Sequence, residues 1–253
     1  MQNTKLSYLD DTYNFAALVN VQEIGSDEKG HFLIFDQTIY YPGGGGQPKD
    51  FAHLSFQNKT ETAIIGADFN GGLVKHYIAG ENPFKAGTQL AMMVAQEQRL
   101  LYATYHTVGH WIASIVCENI RLPFVPQKGY HYTDGAYIEF DGDKSLITDD
   151  ILHDIDYAMR IDRQAQLGIK TEIINAVTDS ERLKNAQIPD NFKPHPDKPL
   201  RLVTFDDYKS VPCGGTHLRS IKEIKSVSLS KIAVKNGKIR VSYGCEMWAL
   251  APV

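Results

Sequence analysis

The sequence predicts an α+β protein. A small β-rich, barrel-like domain is expected over residues 1–88, followed by a second domain over 89–253 in which antiparallel sheet packs on helices. Three observations carry this. Before residue 88, apolar residues come in short β-branched or aromatic runs set apart by turn residues. From Met93 to Asn119 they recur at helical spacing, as Leu100, Leu101, Val108, Trp111, Ile112, Ile115 and Val116. The C-terminal stretch alternates again around Asn236-Gly237, a strong hairpin signal.

Taken in order, Phe15 to Ile24 and His31 to Asp36 read as strands, with turns at Gly25-Ser26-Asp27 and Glu28-Lys29-Gly30. Thr38 to Tyr41 leads as a strand into Pro42-Gly-Gly-Gly-Gly-Gln-Pro48. Prolines stiffen both ends of this glycine run, so the run reads as a fixed loop that lets a ligand or another backbone approach closely. It is not a phosphate loop, because no Gly-Lys-Ser/Thr and no helix follow. Ala63 to Gly66 and Gly72 to Ile78 are further strands, and Gly80 to Pro83 is the expected way out of the domain. After the long helix, Tyr130 to Asp141 reads as a hairpin turning at Asp134-Gly135, with His131 expected on the strand surface. A helix is predicted from Thr148 to Gln166, its early acids suiting the helix dipole. Strands are expected at Lys170–Ile174, Leu200–Phe205, Ser226–Val234 and Lys238–Tyr243, a short helix at Asp179–Asn185, and a surface connector at Pro189–Pro199.

Composition sets bounds. A 253-residue chain with 43% hydrophobic residues can hold one large domain or two smaller ones, and no apolar run is long enough to cross a bilayer. The start Met1-Gln2-Asn3-Thr4-Lys5 lacks the apolar core of a secretory signal, so a cytoplasmic location and no membrane partner are expected. Cys117, Cys213 and Cys245 make no disulfide framework, and Cys117 reads as core. The net charge of -4 gives no global polyanion footprint. Between Arg219 and Arg240, however, lysines at 222, 225, 231, 235 and 238 face Glu223 as the single acid, a pattern that also suits solvated edge strands.

Two distant stretches carry the chemistry. His106-Thr-Val-Gly-His110 places two imidazoles one helical turn apart on one face. Cys213-Gly-Gly-Thr-His217 places a thiol and a third imidazole four residues apart around two glycines. Either alone is an ordinary feature of a helix or a turn. Together they offer four ligands, three imidazoles and one thiolate, a set that suits one zinc ion per chain better than magnesium or calcium. Ligands so far apart in sequence cannot form a local knuckle, so the whole fold must assemble the site.

The order Tyr40-Tyr-Pro-Gly-Gly-Gly-Gly-Gln-Pro-Lys-Asp50, His-Thr-Val-Gly-His, Cys-Gly-Gly-Thr-His resembles the freestanding alanyl-tRNA editing proteins of the AlaX family, medium form, and the editing domain of alanyl-tRNA synthetase. The resemblance spans nearly the whole chain. It implies hydrolysis of the aminoacyl ester on mischarged tRNA(Ala), with serine as the chief misplaced amino acid and glycine a second. It implies zinc at His106, His110, Cys213 and His217, with Thr38 and Gln47 beside the aminoacyl group. Two positions depart from the usual pattern: Ile155-Asp-Tyr-Ala-Met, where the family generally has a Glu and an Asn, and Ile221-Lys222, where a Thr-Gly pair is common.

Physical chemistry supplies a reason for such a function. A pocket for alanine rejects serine only on the order of a hundredfold, whereas a buried group that must bond the serine hydroxyl discriminates about ten-thousandfold or more. Thr38 is the candidate reader, and Gln47 or the amides of Gly44, Gly45 and Gly46 the candidate holders of the oxyanion. Lys231, Lys238 and Arg240 are candidates for phosphates of the acceptor stem. No obligatory protein partner is implied. Whether zinc activates water or only positions the substrate stays open, since four protein ligands usually mark a closed site. Two rivals stand beside this reading: a tRNA-binding module with structural zinc, and a zinc peptidase. The peptidase is weakened by Thr107, which stands where His-Glu-x-x-His enzymes carry their base.

Overall fold

A computed structural model describes residues 2–57, 60–148, 150–175, 179–188, 192–193 and 198–249. The chain divides into two compact units. One comprises Met1–Gly44, Pro48–Leu100 and Pro196–Lys198, the other Gly45–Gln47, Leu101–His195 and Pro199–Val253.

The first unit is built on β1 (Lys5–Leu6), β2 (Ala16–Asp27), β3 (Gly30–Phe35), β4 (Gln37–Thr38), β5 (Ala52–Phe56), β6 (Thr60–Asn70), β7 (Leu73–Ile78) and β8 (Gln89–Val94). Six of these close into an antiparallel barrel in the order β2-β3-β7-β6-β5-β8, and β1 pairs with β4 beside it. The barrel is closed by β8, which pairs with both β2 and β5. Period-2 alternation explains that strand: Leu90, Met92 and Val94 are buried, while Gln89 and Met93 face outward. Met93 and Val94 therefore belong to a strand and not to the helix expected there. The interior is filled by Val19, Val21, Leu33, Phe35, Leu54, Ile64 and Ile78. Arg99, wholly buried, ties the two ends of the glycine-bearing loop together. Its Nε donates to Asp50 Oδ1 at 2.8 Å and a terminal nitrogen to Ile39 O at 2.5 Å, while Asp50 Oδ2 accepts from Tyr41 N. Burial pushes the Asp50 carboxyl up, opposed by the Arg99 charge.

The second unit contains most of α1 (Gln96–Ser114), which ends in a single π turn at Ile115–Asn119. Then come β9 (Val125–Tyr130), β10 (Tyr137–Asp141), α2 (Ile151–Ala165), β11 (Ile169–Ile174), α3 (Ser180–Lys184), β12 (Leu200–Phe205), β13 (Val211–Pro212), β14 (Ile224–Lys235) and β15 (Lys238–Met247). The strands form a four-stranded antiparallel sheet, β14-β15-β10-β9, and a three-stranded one, β11-β12-β13. Asn236 and Gly237, both at positive φ, make the tight turn between β14 and β15. α2 stops where Gln166 turns left-handed. Trp111 of α1 is fully buried, and its Nε1 donates to Asp162 of α2 at 2.6 Å. Ile155 and Ile221 are wholly buried, while Tyr157 and Lys222 beside them are exposed. The expected connector at Pro189–Pro199 lies mostly outside the described residues.

Candidate metal centre

Four side chains of the second unit converge. The ligand atoms of His106, His110, Cys213 and His217 all lie within 4.8 Å of one another. His110 Nε2 is 3.2 Å from His106 Nε2, Cys213 Sγ is 3.5 Å from His106 Nε2, and His217 Nε2 is 3.3 Å from Cys213 Sγ. The helix supplies the first pair one turn apart, as its spacing predicts. The second pair follows β13, where Cys213 N donates to Arg201 O at 3.0 Å.

Two of the rings are oriented through their other nitrogen. His106 Nδ1 donates to Gln47 Oε1 at 2.6 Å, leaving the Nε2 lone pair directed at the cluster. Gln47 is itself buried and fixed, its Oε1 accepting from Thr216 N at 3.0 Å and its Nε2 donating to Thr216 Oγ1 at 2.7 Å. His217 Nδ1 lies 3.3 Å from Thr107 Oγ1, which also accepts from Leu218 N. Thr107 thus braces a ring, in the position where a peptidase would carry its base.

The electrostatics match a cation site. Burial holds the imidazole of His106 well below its ordinary range, with the charges of neighbouring histidines and Arg201 adding to the effect. Burial does the same to His217 and brings His110 down to about 4. Burial pushes the Cys213 thiol up, opposed by the Gly215 N–H and the charge of Arg201. The result at neutral pH is three uncharged imidazoles and a desolvated thiol with their lone pairs facing inward. Three imidazoles and one thiol converging in this way are a donor set that could hold a metal ion.

Close approach explains two of the glycines. A Cβ on Gly215 would stand 2.1 Å from His106 Cε1 and 2.8 Å from Gln47 Oε1. A Cβ on Gly46 would stand 2.1 Å from Gly129 O, and Gly46 O accepts from His131 N at 2.9 Å. The glycine run is therefore a place where another backbone comes close, which delivers Gln47 to His106.

His131 corrects the expectation of a surface residue. It is 2% exposed, and its ring lies 4.5 Å from that of His106, centroid to centroid. Tyr243 spends its hydroxyl proton on Tyr105 O at 2.8 Å, so Nδ1 of His131 is the donor in its 2.7 Å bond to Tyr243 Oη. Burial brings this imidazole down to about 3. Gly109 makes room for it in mid-helix, where glycine is costly, because a Cβ there would meet the His131 ring at 2.4 Å.

Thr38 belongs to the first unit, where its buried Oγ1 lies 2.8 Å from His76 Nε2 and accepts from Tyr40 N. Gly44 O accepts from Tyr41 Oη at 2.8 Å. Lys238 pairs with Asp141 and Arg240 with Glu139, while Lys231 is exposed on β14.

Residues 200–241 match the family described as the threonyl and alanyl tRNA synthetase second additional domain. The chain is 25% identical to the alanyl-tRNA editing protein AlaX-M of Methanosarcina barkeri, over 95% of this chain and 98% of that protein. It is 26% identical to AlaX-M of Pyrococcus horikoshii, over 97% of each. It is also 28% identical to the alanine–tRNA ligase of Caldivirga maquilingensis, over 98% of this chain but only 27% of the ligase, so it spans about a quarter of such enzymes. Over 95% or more of its length, and of theirs, the chain resembles the alanyl-tRNA editing proteins AlaX-M.

Proposed function

We propose that this protein is a trans-editing hydrolase of the cytoplasm that removes serine, and secondarily glycine, from mischarged tRNA(Ala), using one zinc ion held by His106, His110, Cys213 and His217. The observation that carries the proposal is the inward convergence of those four groups, braced by Gln47, in a chain similar throughout to proteins named for editing. Zinc fits the donor set. Imidazole nitrogens would hold it at ~2.0–2.1 Å and a thiolate at ~2.3 Å. The donor atoms are separated by 3.2, 3.3 and 3.5 Å in three of the pairs and by no more than 4.8 Å in any pair, which is compact enough for one ion.

When bound, zinc supplies a fixed positive charge beside the ester, either lowering the pKa of a water or anchoring the aminoacyl group while a separately held water attacks. Either way, water adds to the ester carbonyl, the bond to the ribose oxygen breaks, and that oxygen takes up a proton. The protein groups do the positioning. Gln47 fixes the tautomer and angle of His106, and Thr107 does so for His217. Gly44, Gly45 and Gly46 remain the candidate amides for the oxyanion and Thr38 the candidate reader of the serine hydroxyl. Of the three basic candidates, Lys231 adds exposed charge for RNA phosphates, while Lys238 and Arg240 are paired with Asp141 and Glu139.

The test is incubation with seryl-, glycyl- and alanyl-tRNA(Ala), and separately with a peptide library. Loss of the seryl ester with the alanyl ester spared is expected. Peptide cleavage would support the peptidase instead, and binding without turnover would leave a tRNA-binding module.

A further inference from the structure

The sheet β14-β15-β10-β9 has two unlike faces. Ile138, Phe140, Ile239, Val241 and Tyr243 are buried on one. On the other, the register places Tyr130 beside Tyr137, Lys128 beside Glu139 and Arg240, Lys231 beside Ser242, and Lys235 beside Lys238. The acids of that face are engaged within it, Glu139 by Arg240, Asp141 by Lys238 and Glu246 by Lys225, while Lys128, Lys231 and Lys235 are exposed.

A column of flat groups crosses this basic face. The Arg240 guanidinium lies 4.1 Å from the centroid of the Tyr137 ring. Tyr137 stacks on Tyr130 at 5.3 Å and 14°, and Tyr130 stacks on Tyr132 at 4.5 Å and 19°. One end is thus capped by a cation, itself steered by Glu139. The other end is Tyr132, 38% exposed in the turn after β9. Holding three rings parallel at a surface makes a platform for one more flat ring, and lysines around it select an anionic chain.

We propose that this face binds the single-stranded 3′ end of an RNA, one nucleobase stacking on Tyr132 while Lys128, Lys231 and Lys235 meet its phosphates. The inference rests on the tRNA-deacylase reading and adds where the acceptor end is held. Its place in the chain suits that role: Tyr130 and Tyr132 flank His131 in sequence on the outer face, while the His131 ring lies against His106 on the buried side. Nucleotides following the stacked base would cross the 132–135 turn toward the metal centre. Base stacking on an aromatic ring tolerates any base, so the platform contributes affinity and placement more than sequence choice.

The test uses uncharged tRNA(Ala) carrying 2-aminopurine in its single-stranded 3′ end, a base whose fluorescence is quenched by stacking. Wild-type protein is expected to quench it. Tyr132→Leu should lose the quench and bind on the order of tenfold more weakly, and Tyr132→Trp should retain both. Replacing Lys128, Lys231 and Lys235 by Gln should flatten the salt dependence by about 0.7 in log–log slope for each phosphate no longer neutralised. Quenching by Tyr132→Leu equal to wild type, or an unchanged salt slope, would overturn the proposal. Parallel deacylation of seryl-tRNA(Ala) by the wild type separates the two claims. Tyr132-dependent quenching without hydrolysis supports the platform and removes the hydrolase reading, while hydrolysis without Tyr132-dependent quenching does the reverse.

Discussion

Two wholly buried histidines, His76 in the barrel and His106 in the second unit, have much in common by burial and charge and differ in where their nitrogens point. Both are held below their ordinary range by desolvation, His76 to about 4. His76 ends both nitrogens on protein atoms, Nε2 at 2.8 Å from Thr38 Oγ1 and Nδ1 at 3.4 Å from Leu33 O. His106 spends Nδ1 on Gln47 and turns Nε2 toward His110 Nε2 and Cys213 Sγ. His217 repeats the pattern, with Nδ1 toward Thr107 and Nε2 toward Cys213. Burial and a depressed pKa alone therefore do not mark a site. Convergent lone pairs, backed by an outer partner on the opposite ring nitrogen, do.

The sharpest way to break the contrast is to remove a ligand. Cys213→Ser should lower zinc retention, read by chelator competition, far beyond the ~100-fold that outer partners typically cost, whereas His76→Phe should leave retention unchanged. Gly215→Ala should approach the ligand variant, since its Cβ falls on the His106 ring, while Gly214→Ala, with nothing within 4 Å, should not.

His76 has its own signature in acid. Its folded-state pKa is depressed, so the unfolded chain binds a proton first as pH falls. The stability contributed by the neutral ring is fully present above about 6.5 and is lost as pH drops toward about 4. Over that window the loss reaches about 3 kcal/mol. Denaturant midpoints measured between pH 7 and 4 should flatten by that order in His76→Phe; a parallel curve would show that His76 carries no such linkage.

Gln47→Leu should be milder than ligand loss. It removes the bond that orients His106 and should reduce zinc affinity about 10- to 100-fold. The metal-bound protein should still fold, as circular dichroism would report. An affinity equal to wild type would show that Gln47 does not position the ring.

How much of this was legible in the sequence follows the same contrast. The converging cluster could be read because metal chemistry narrows both residue type and spacing, His at i and i+4 and Cys and His around a glycine pair. The hairpins at Asp134-Gly135 and Asn236-Gly237 and the helix bearing the histidines were legible from turn chemistry and period. β8 was not, because Ala91, Met92 and Met93 suit a helix locally and only the pairing with β2 and β5 makes them a strand. His131 was missed because its burial depends on Tyr243, 112 positions away, and on packing that no local pattern encodes. The hydrogen bonding of Gln47 was hidden for the same reason, as its partners are 59 and 169 positions off.

X-ray absorption at the zinc edge on the purified protein is the most direct measurement. One zinc per chain is predicted, with one sulfur at ~2.3 Å and three nitrogens at ~2.0–2.1 Å, the sulfur shell disappearing in Cys213→Ser. A shell made only of oxygen, or a protein that takes up no zinc, would contradict the convergence of His106, His110, Cys213 and His217 on a single ion.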